Sequence, residues 1–166
     1  GMEDILMLCH TGGTTGTPKA AMISYRSLFF NTFSQITEYS ISPLDKIYVS
    51  YPLFHISAWS AALSLLTSGG CLVFKRDFDT EETLRMIETE KLTFLNGSPA
   101  VYQRMALSPR FAATDFSSIR FVRCGAAPPT IELISAYTNK GLKLIDAYGM
   151  TESGTSILSI PLGTPM

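Results

Sequence analysis

Ten consecutive residues, His10-Thr11-Gly12-Gly13-Thr14-Thr15-Gly16-Thr17-Pro18-Lys19, hold the densest chemistry in this chain. Glycine lets backbone N–H groups converge on one point and lets an anion come close. Threonine hydroxyls add donors, and Lys19 adds a full positive charge. Flanked by the apolar runs Ile5–Cys9 and Ala20–Ile23, such a turn is a cradle for a phosphate chain, that of a nucleotide above all. The common P-loop is excluded, because Pro18 rather than glycine precedes Lys19 and Ala20 rather than Ser or Thr follows it. The dinucleotide G-x-G-x-x-G pattern is excluded as well, since Gly12, Gly13 and Gly16 have the wrong spacing.

Three further clusters follow in order: Pro52-Leu53-Phe54-His55, Cys124-Gly125-Ala126-Ala127-Pro128 and Tyr148-Gly149-Met150-Thr151-Glu152. Taken together with Thr11–Lys19, they resemble the signature segments of the adenylate-forming (AMP-binding) superfamily, in its acyl-CoA synthetase branch. The chain departs from that pattern at Ala20, where glycine is usual, and at Gly12, where many members carry serine.

The resemblance implies ATP-dependent activation of a carboxylic acid to acyl-AMP and then to an acyl-CoA thioester, with ATP, Mg²⁺ and coenzyme A as cofactor and co-substrates. The small-molecule acid, ATP and CoA are then the partners, along with the remaining domains of the same polypeptide. Thr11, Gly12, Gly13, Thr14, Thr15 and Gly16 would grip the β and γ phosphates. Lys19 would assist at that end or only anchor the loop to the next strand. Thr151 would meet the α-phosphate. Glu152, with Thr15 nearby, would hold the nucleotide-bound Mg²⁺, an ion that favours one carboxylate plus phosphate oxygens and waters.

Tyr148, beside Gly149, would stack on adenine, with Gly125, Ala126 and Ala127 as the opposite wall. Asp146 and Ala147 would contact the adenine edge and the acyl-adenylate. His55, with Trp59 one helical turn on, would line the carboxylate pocket. Leu63, Trp59 and Phe54 suggest an apolar acid, a fatty acid among them. The family's main catalytic lysine belongs to a C-terminal lid domain, which is expected to be absent here along with the ribose-binding region.

Composition fits one lobe of a larger enzyme. The 166 residues are 46% hydrophobic and only 16% charged, against about 25% charged in a typical soluble domain. Residues 1–166 are expected to form a single α/β lobe, and a family member would run about three times longer if each domain is of order 150 residues. Gly1-Met2 reads as an appended remnant. The net charge of −1, with no basic stripe, gives no reason to expect nucleic acid. The apolar stretch from Ile56 to Leu66 is broken by three serines and falls short of the ~20 residues a transmembrane segment needs. Cys9, Cys71 and Cys124 fit neither a zinc site nor a disulfide framework, and are expected to be buried reduced thiols in a cytoplasmic protein.

To position the four clusters, short apolar runs alternate with amphipathic ones. The spacing predicts strands at Ile5–Cys9, Ala20–Ser24, Lys46–Tyr51, Cys71–Phe74, Thr93–Asn96, Arg120–Cys124 and Leu142–Asp146. Helices are predicted at Ser27–Tyr39, Ser57–Thr67, Thr80–Glu90, Pro99–Ala106 and Pro129–Lys140. This is an α/β pattern, a mostly parallel sheet flanked by helices. Each cluster follows a strand, so all four should meet at the carboxyl edge of one sheet. Two other outcomes stay open: an adenylation domain loading a carrier-protein thiol, or a non-catalytic nucleotide-binding or packing lobe.

Overall fold

A computed structural model describes residues 1–11, 19–49 and 51–164. The chain runs β1 (Ile5–Thr11), β2 (Lys19–Ser24), α1 (Tyr25–Tyr39), β3 (Lys46–Val49), α2 (Ile56–Thr67), β4 (Cys71–Phe74) and α3 (Thr80–Thr89). It continues with β5 (Phe94–Gly97), α4 (Pro99–Leu107), α5 (Pro109–Ala113), β6 (Phe121–Cys124), α6 (Ile131–Thr138), β7 (Leu144–Met150), a 3₁₀ turn (Thr151–Ser153) and β8 (Thr155–Ser159).

Six strands form the main sheet in the order β4-β3-β5-β6-β7-β8. The first five are parallel, and β8 returns antiparallel along β7. Parallel strands need apolar residues on both faces, and β6 supplies them. Val122 and Cys124 enter a core with Leu84, Ile87, Tyr102 and Tyr137 of α3, α4 and α6. Phe121 faces the other way, among Tyr39 of α1, Ala58 and Leu65 of α2, and Phe94. Its ring stacks on Phe94 at 4.8 Å and on Tyr39 at 5.1 Å. The result is three layers with the sheet in the middle.

One expectation is corrected here. The first two strands do not join the main sheet; β1 and β2 pair antiparallel as a separate two-stranded hairpin. Its burial alternates, with Cys9 and Ile23 inside and Leu8 and Met22 in solvent, as a half-covered hairpin requires. Helix α6 starts at Ile131 rather than at Pro129, because the Thr130 hydroxyl accepts from the Leu133 N–H and caps it. Asp79 caps α3, accepting from the Glu82 N–H at 2.7 Å. Among the cysteines, Cys9 and Cys124 are buried, but Cys71 is exposed at the start of an edge strand. All three are unpaired.

The amino-terminal edge of the sheet is tied by one buried carboxylate. Asp45 is 2% exposed and accepts from the Ser42 N–H at 2.8 Å and from the Thr93 hydroxyl at 2.7 Å. The Arg120 guanidinium lies 3.3 Å away, and also donates to the carbonyl of Tyr39 at 2.8 Å. A single side chain thus joins the entries of β3, β5 and β6 to the end of α1. Replacing it (Asp45→Ala) leaves these donors unsatisfied, and should lower the unfolding free energy by about 2–3 kcal/mol. Guanidinium titration should show an earlier midpoint with an unchanged slope.

Candidate active-site cleft

Strand order reverses beside β3: the chain steps outward to β4, then crosses back over β3 to β5, β6 and β7. In an open parallel sheet the crevice forms at such a switch point, beyond the carboxyl ends of the strands. A cavity of about 170 Å³ lies there. Tyr51 and His55 reach it from the end of β3, Asn96 from β5, Gly125 and Ala126 from the turn after β6, and Ala147, Gly149 and Thr151 from β7 and the 3₁₀ turn. Three of the four sequence clusters therefore converge on one cleft.

The fourth cluster borders it. Thr11 and Lys19 form the last pair of the β1–β2 hairpin, and the Thr11 hydroxyl donates to the Lys19 carbonyl at 3.3 Å. Thr11 thus closes the mouth of the loop, while Lys19 stays exposed. Both hairpin strands pack against the 3₁₀ turn that carries Thr151 and Glu152. Gly12, Gly13, Thr14, Thr15 and Gly16, expected to grip phosphate, lie outside the described residues.

Local geometry explains why small residues occupy the cleft wall. A side chain at Gly149 would overlap the Thr155 carbonyl, because β7 and β8 meet there across a register shift. Gly125 faces the Ala147 carbonyl, 3.4 Å from where a Cβ would stand. Ala126 has φ of 73° and Thr155 a φ of 129°, conformations that L residues rarely adopt. Both line the cleft, so its wall carries strained backbone. The Ser153 hydroxyl fixes the 3₁₀ turn, its oxygen lying 2.8 Å from the carbonyls of both Met150 and Thr155.

His55 caps α2. Its Nδ1 accepts from the Ser57 N–H at 3.2 Å, and its ring stacks on Tyr51 at 5.5 Å. With Nδ1 engaged as acceptor, the ring proton sits on Nε2, which remains a donor. Glu152 is exposed, with no partner among the described residues. Those residues contain no group of three or more His, Cys, Asp or Glu side chains able to cage a metal. A lone carboxylate of this kind suits Mg²⁺ that arrives already bound to phosphates and water.

Other expected site residues stand apart from the cleft lining. Tyr148 is 61% exposed and stands outside the lining of the cleft. Ala127 is exposed, and the Asp146 carbonyl is taken by the Ile160 N–H. Trp59 is not a cleft wall; its indole N–H donates to the Leu53 carbonyl at 2.6 Å and braces the Pro52–His55 turn. Phe54 points into solvent, and Leu63 lines a separate apolar groove against α1. The apolar trio does not gather into an acyl pocket.

Sequence reading passed over Arg123, Tyr51, Asn96, Thr155 and Ser156, all of which line the cleft. Arg123 carried a usable signal: a charged residue inside the buried run Phe121–Cys124 must have found something to satisfy it.

Two measurements check this geometry. Gly149→Ala should push β8 off β7, costing about 3 kcal/mol and speeding hydrogen exchange at the β8 amides. Alkali should act through phenols and thiols whose burial raises their pKa, Cys124 and Tyr51 among them. Burial, with Asp146 nearby, pushes the Cys124 thiol from 9.0 up to about 12. Burial likewise pushes the Tyr51 phenol up to about 12, against an opposing pull from Arg123. The folded state holds these protons more tightly than the unfolded chain, so stability is full below about pH 9 and falls as pH rises toward 12. Denaturant titrations at stepped pH should show that fall, shallower in Cys124→Ala.

Comparison with known proteins agrees with the geometry. The family model described as AMP-binding enzyme matches residues 1–165. A feruloyl-CoA synthase from an Amycolatopsis species is 35% identical over 159 residues, covering 95% of this chain and 32% of that protein. The chain spans about a third of the length of the curated relatives it matches. ATP-bound MatB from Rhodopseudomonas palustris superposes with a TM-score of 0.91 at 28% identity, over 99% of this chain and 33% of that one. The o-succinylbenzoate CoA synthetase MenE from Bacillus subtilis, in complex with ATP and magnesium ion, gives 0.88 at 26% identity over 98% of this chain and 34% of that one. With three of the four signature clusters gathered at one sheet edge and the match running almost end to end, this chain belongs to the AMP-binding enzyme family.

Proposed function

We propose that this chain is the nucleotide-binding lobe of an ATP-dependent acid–CoA ligase. The observation that carries the reading is the meeting of the His55, Gly125–Ala126 and Gly149–Thr151 turns in one cleft at the switch point of the sheet. The acid's carboxylate attacks the α-phosphate of ATP, forming acyl-AMP and releasing pyrophosphate. The coenzyme A thiolate then displaces AMP. The first step joins two anions, so the protein's task is to align them and offset their repulsion.

Thr11–Gly16 supplies donors to the β and γ phosphates, with Lys19 assisting or anchoring the loop. Thr151 faces the α-phosphate. Adenine lies between Tyr148 and the Gly125–Ala127 turn, with Asp146 and Ala147 at its edge. His55, its Nδ1 held by Ser57, offers Nε2–H to the reacting carboxylate. Glu152, with Thr15, would hold Mg²⁺, whose charge neutralises the phosphates.

The chain spans about a third of the length of its curated relatives, which fits one lobe of a larger enzyme. An apolar groove of about 300 Å³, lined by Leu6, Phe29, Phe33 and Leu63, supports this, since such a surface calls for cover. No helix among the described residues is long and apolar enough to cross a membrane. The three free thiols suit the reducing cytosol.

Glu152→Gln in the full-length protein should cut acid-dependent ATP–pyrophosphate exchange about 10²–10³-fold and raise the Mg²⁺ concentration needed for half-maximal rate. Unchanged exchange with an unchanged Mg²⁺ requirement would remove Glu152 from the site. Residues 1–166 alone should form no acyl-CoA above the buffer rate.

A further inference from the structure

Arg123 is 7% exposed in the middle of the sheet, and among the described residues it has no carboxylate partner. Nη1 donates to Gln35 Oε1 and to Asn96 Oδ1, each at 3.3 Å, and Nη2 donates to the Ser156 hydroxyl. Nε is buried with no acceptor at all. The Tyr39 ring lies 5.6 Å from the guanidinium carbon. Every one of these neighbours is neutral.

The network behind them is neutral too. Asn31 and Gln35 of α1, Ser60 of α2 and Thr155 of β8 bond to one another, with Thr155 Oγ1 2.9 Å from Asn31 Oδ1 and 2.8 Å from Ser60 Oγ. Five buried polar side chains and the half-buried Ser156 thus surround one cation and no anion. A buried charge is costly unless it is both hydrogen-bonded and paired. This one is hydrogen-bonded only, and it lines the cleft.

We infer that the missing counter-ion is part of the substrate, and that Arg123 sets specificity by pairing with a second carboxylate at the far end of the acid. The inference rests on the ligase reading above. Arg123 lies two residues before Gly125 on β6, about 7 Å deeper along the strand. An acid whose reacting carboxylate sits beside His55 and Thr151 would send its other end toward that depth. With about 7 Å between the two ends, the preferred substrate is a short diacid rather than a long-chain fatty acid. Nε has a donor still unmet, and a guanidinium with unmet donors favours a carboxylate over any neutral acceptor.

The test compares each short straight-chain diacid with its own monomethyl ester, which removes only the distal charge, and with monoacids and phenolic acids of similar size. ATP–pyrophosphate exchange by the full-length protein is the readout. The diacid should exceed its ester at least about 100-fold in kcat/KM, mostly through KM, because an unpaired buried cation penalises the ester. Arg123→Met should bring that ratio toward one, and Arg123→Lys should restore part of it. If Arg123→Met does not fold, the wild-type ratio alone decides. Equal exchange with diacid and ester, or a ratio unmoved by Arg123→Met, overturns the inference. Exchange with monoacids or phenolic acids but not diacids overturns it while leaving acid activation standing. Exchange with none of them overturns the ligase reading itself.

Discussion

A guanidinium on a central strand imposes conditions on everything around it. Arg123 is only 7% exposed, so acceptors have to be brought to it by three elements: Gln35 and the ring face of Tyr39 from α1, Asn96 from β5 and Ser156 from β8. Satisfying these together fixes how α1 lies across the sheet and where β8 returns along β7. The Asn31 amide strengthens the tie, donating to the Ser156 carbonyl at 3.0 Å. Because β8 is held this close, only glycine fits at position 149, and Thr155 is kept in a conformation that a β-branched residue rarely adopts. The strain in the cleft wall is thus a consequence of the buried polar network rather than an independent feature.

The two ends of the sheet divide the labour. At the amino edge, Asp45 and Arg120 form a closed set in which charge meets charge. At the carboxyl edge, Arg123 is left without its counter-charge and Glu152 without any partner among the described residues. Incomplete electrostatics at one edge and complete electrostatics at the other mark which edge binds and which only stabilises.

Much of this was legible in the sequence, for reasons that also explain the failures. Parallel strands such as Cys71–Phe74 and Phe121–Cys124 are short apolar runs between amphipathic helices, and their bounds came within a residue or so. The β1–β2 hairpin was misassigned to the main sheet although its loop gave the answer. The seven residues between Thr11 and Lys19 cannot hold the crossover that a parallel connection needs. Strand β8 escaped notice because Thr155–Ser159 mixes polar and apolar residues with no clean alternation, and its place comes from pairing with β7. The cleft residues inside motifs were found, but those on either side were not. Reading from Cys124 onward stopped one residue short of Arg123. Trp59 was assigned by helical spacing and Leu63 by its apolar character, and neither tells which face of α2 meets the cleft.

The buried network bears on substrate chemistry in a way the motifs do not. An apolar tail entering beside Arg123 would strip the last water from a cation already short of acceptors, and would offer nothing in return. That penalty discriminates against apolar acids without any steric clash, since specificity is a difference between partners and an unpaired charge is an effective repulsive element. An anionic tail reverses the sign: the cost of burying the guanidinium has already been met in folding, and its field, little screened by solvent, acts on the incoming charge at nearly full strength. The same residue that makes the lobe harder to fold thereby makes its cleft selective. Its position behind Gly125 and Ala147, rather than at the rim, ties that selectivity to tail length as well as tail charge.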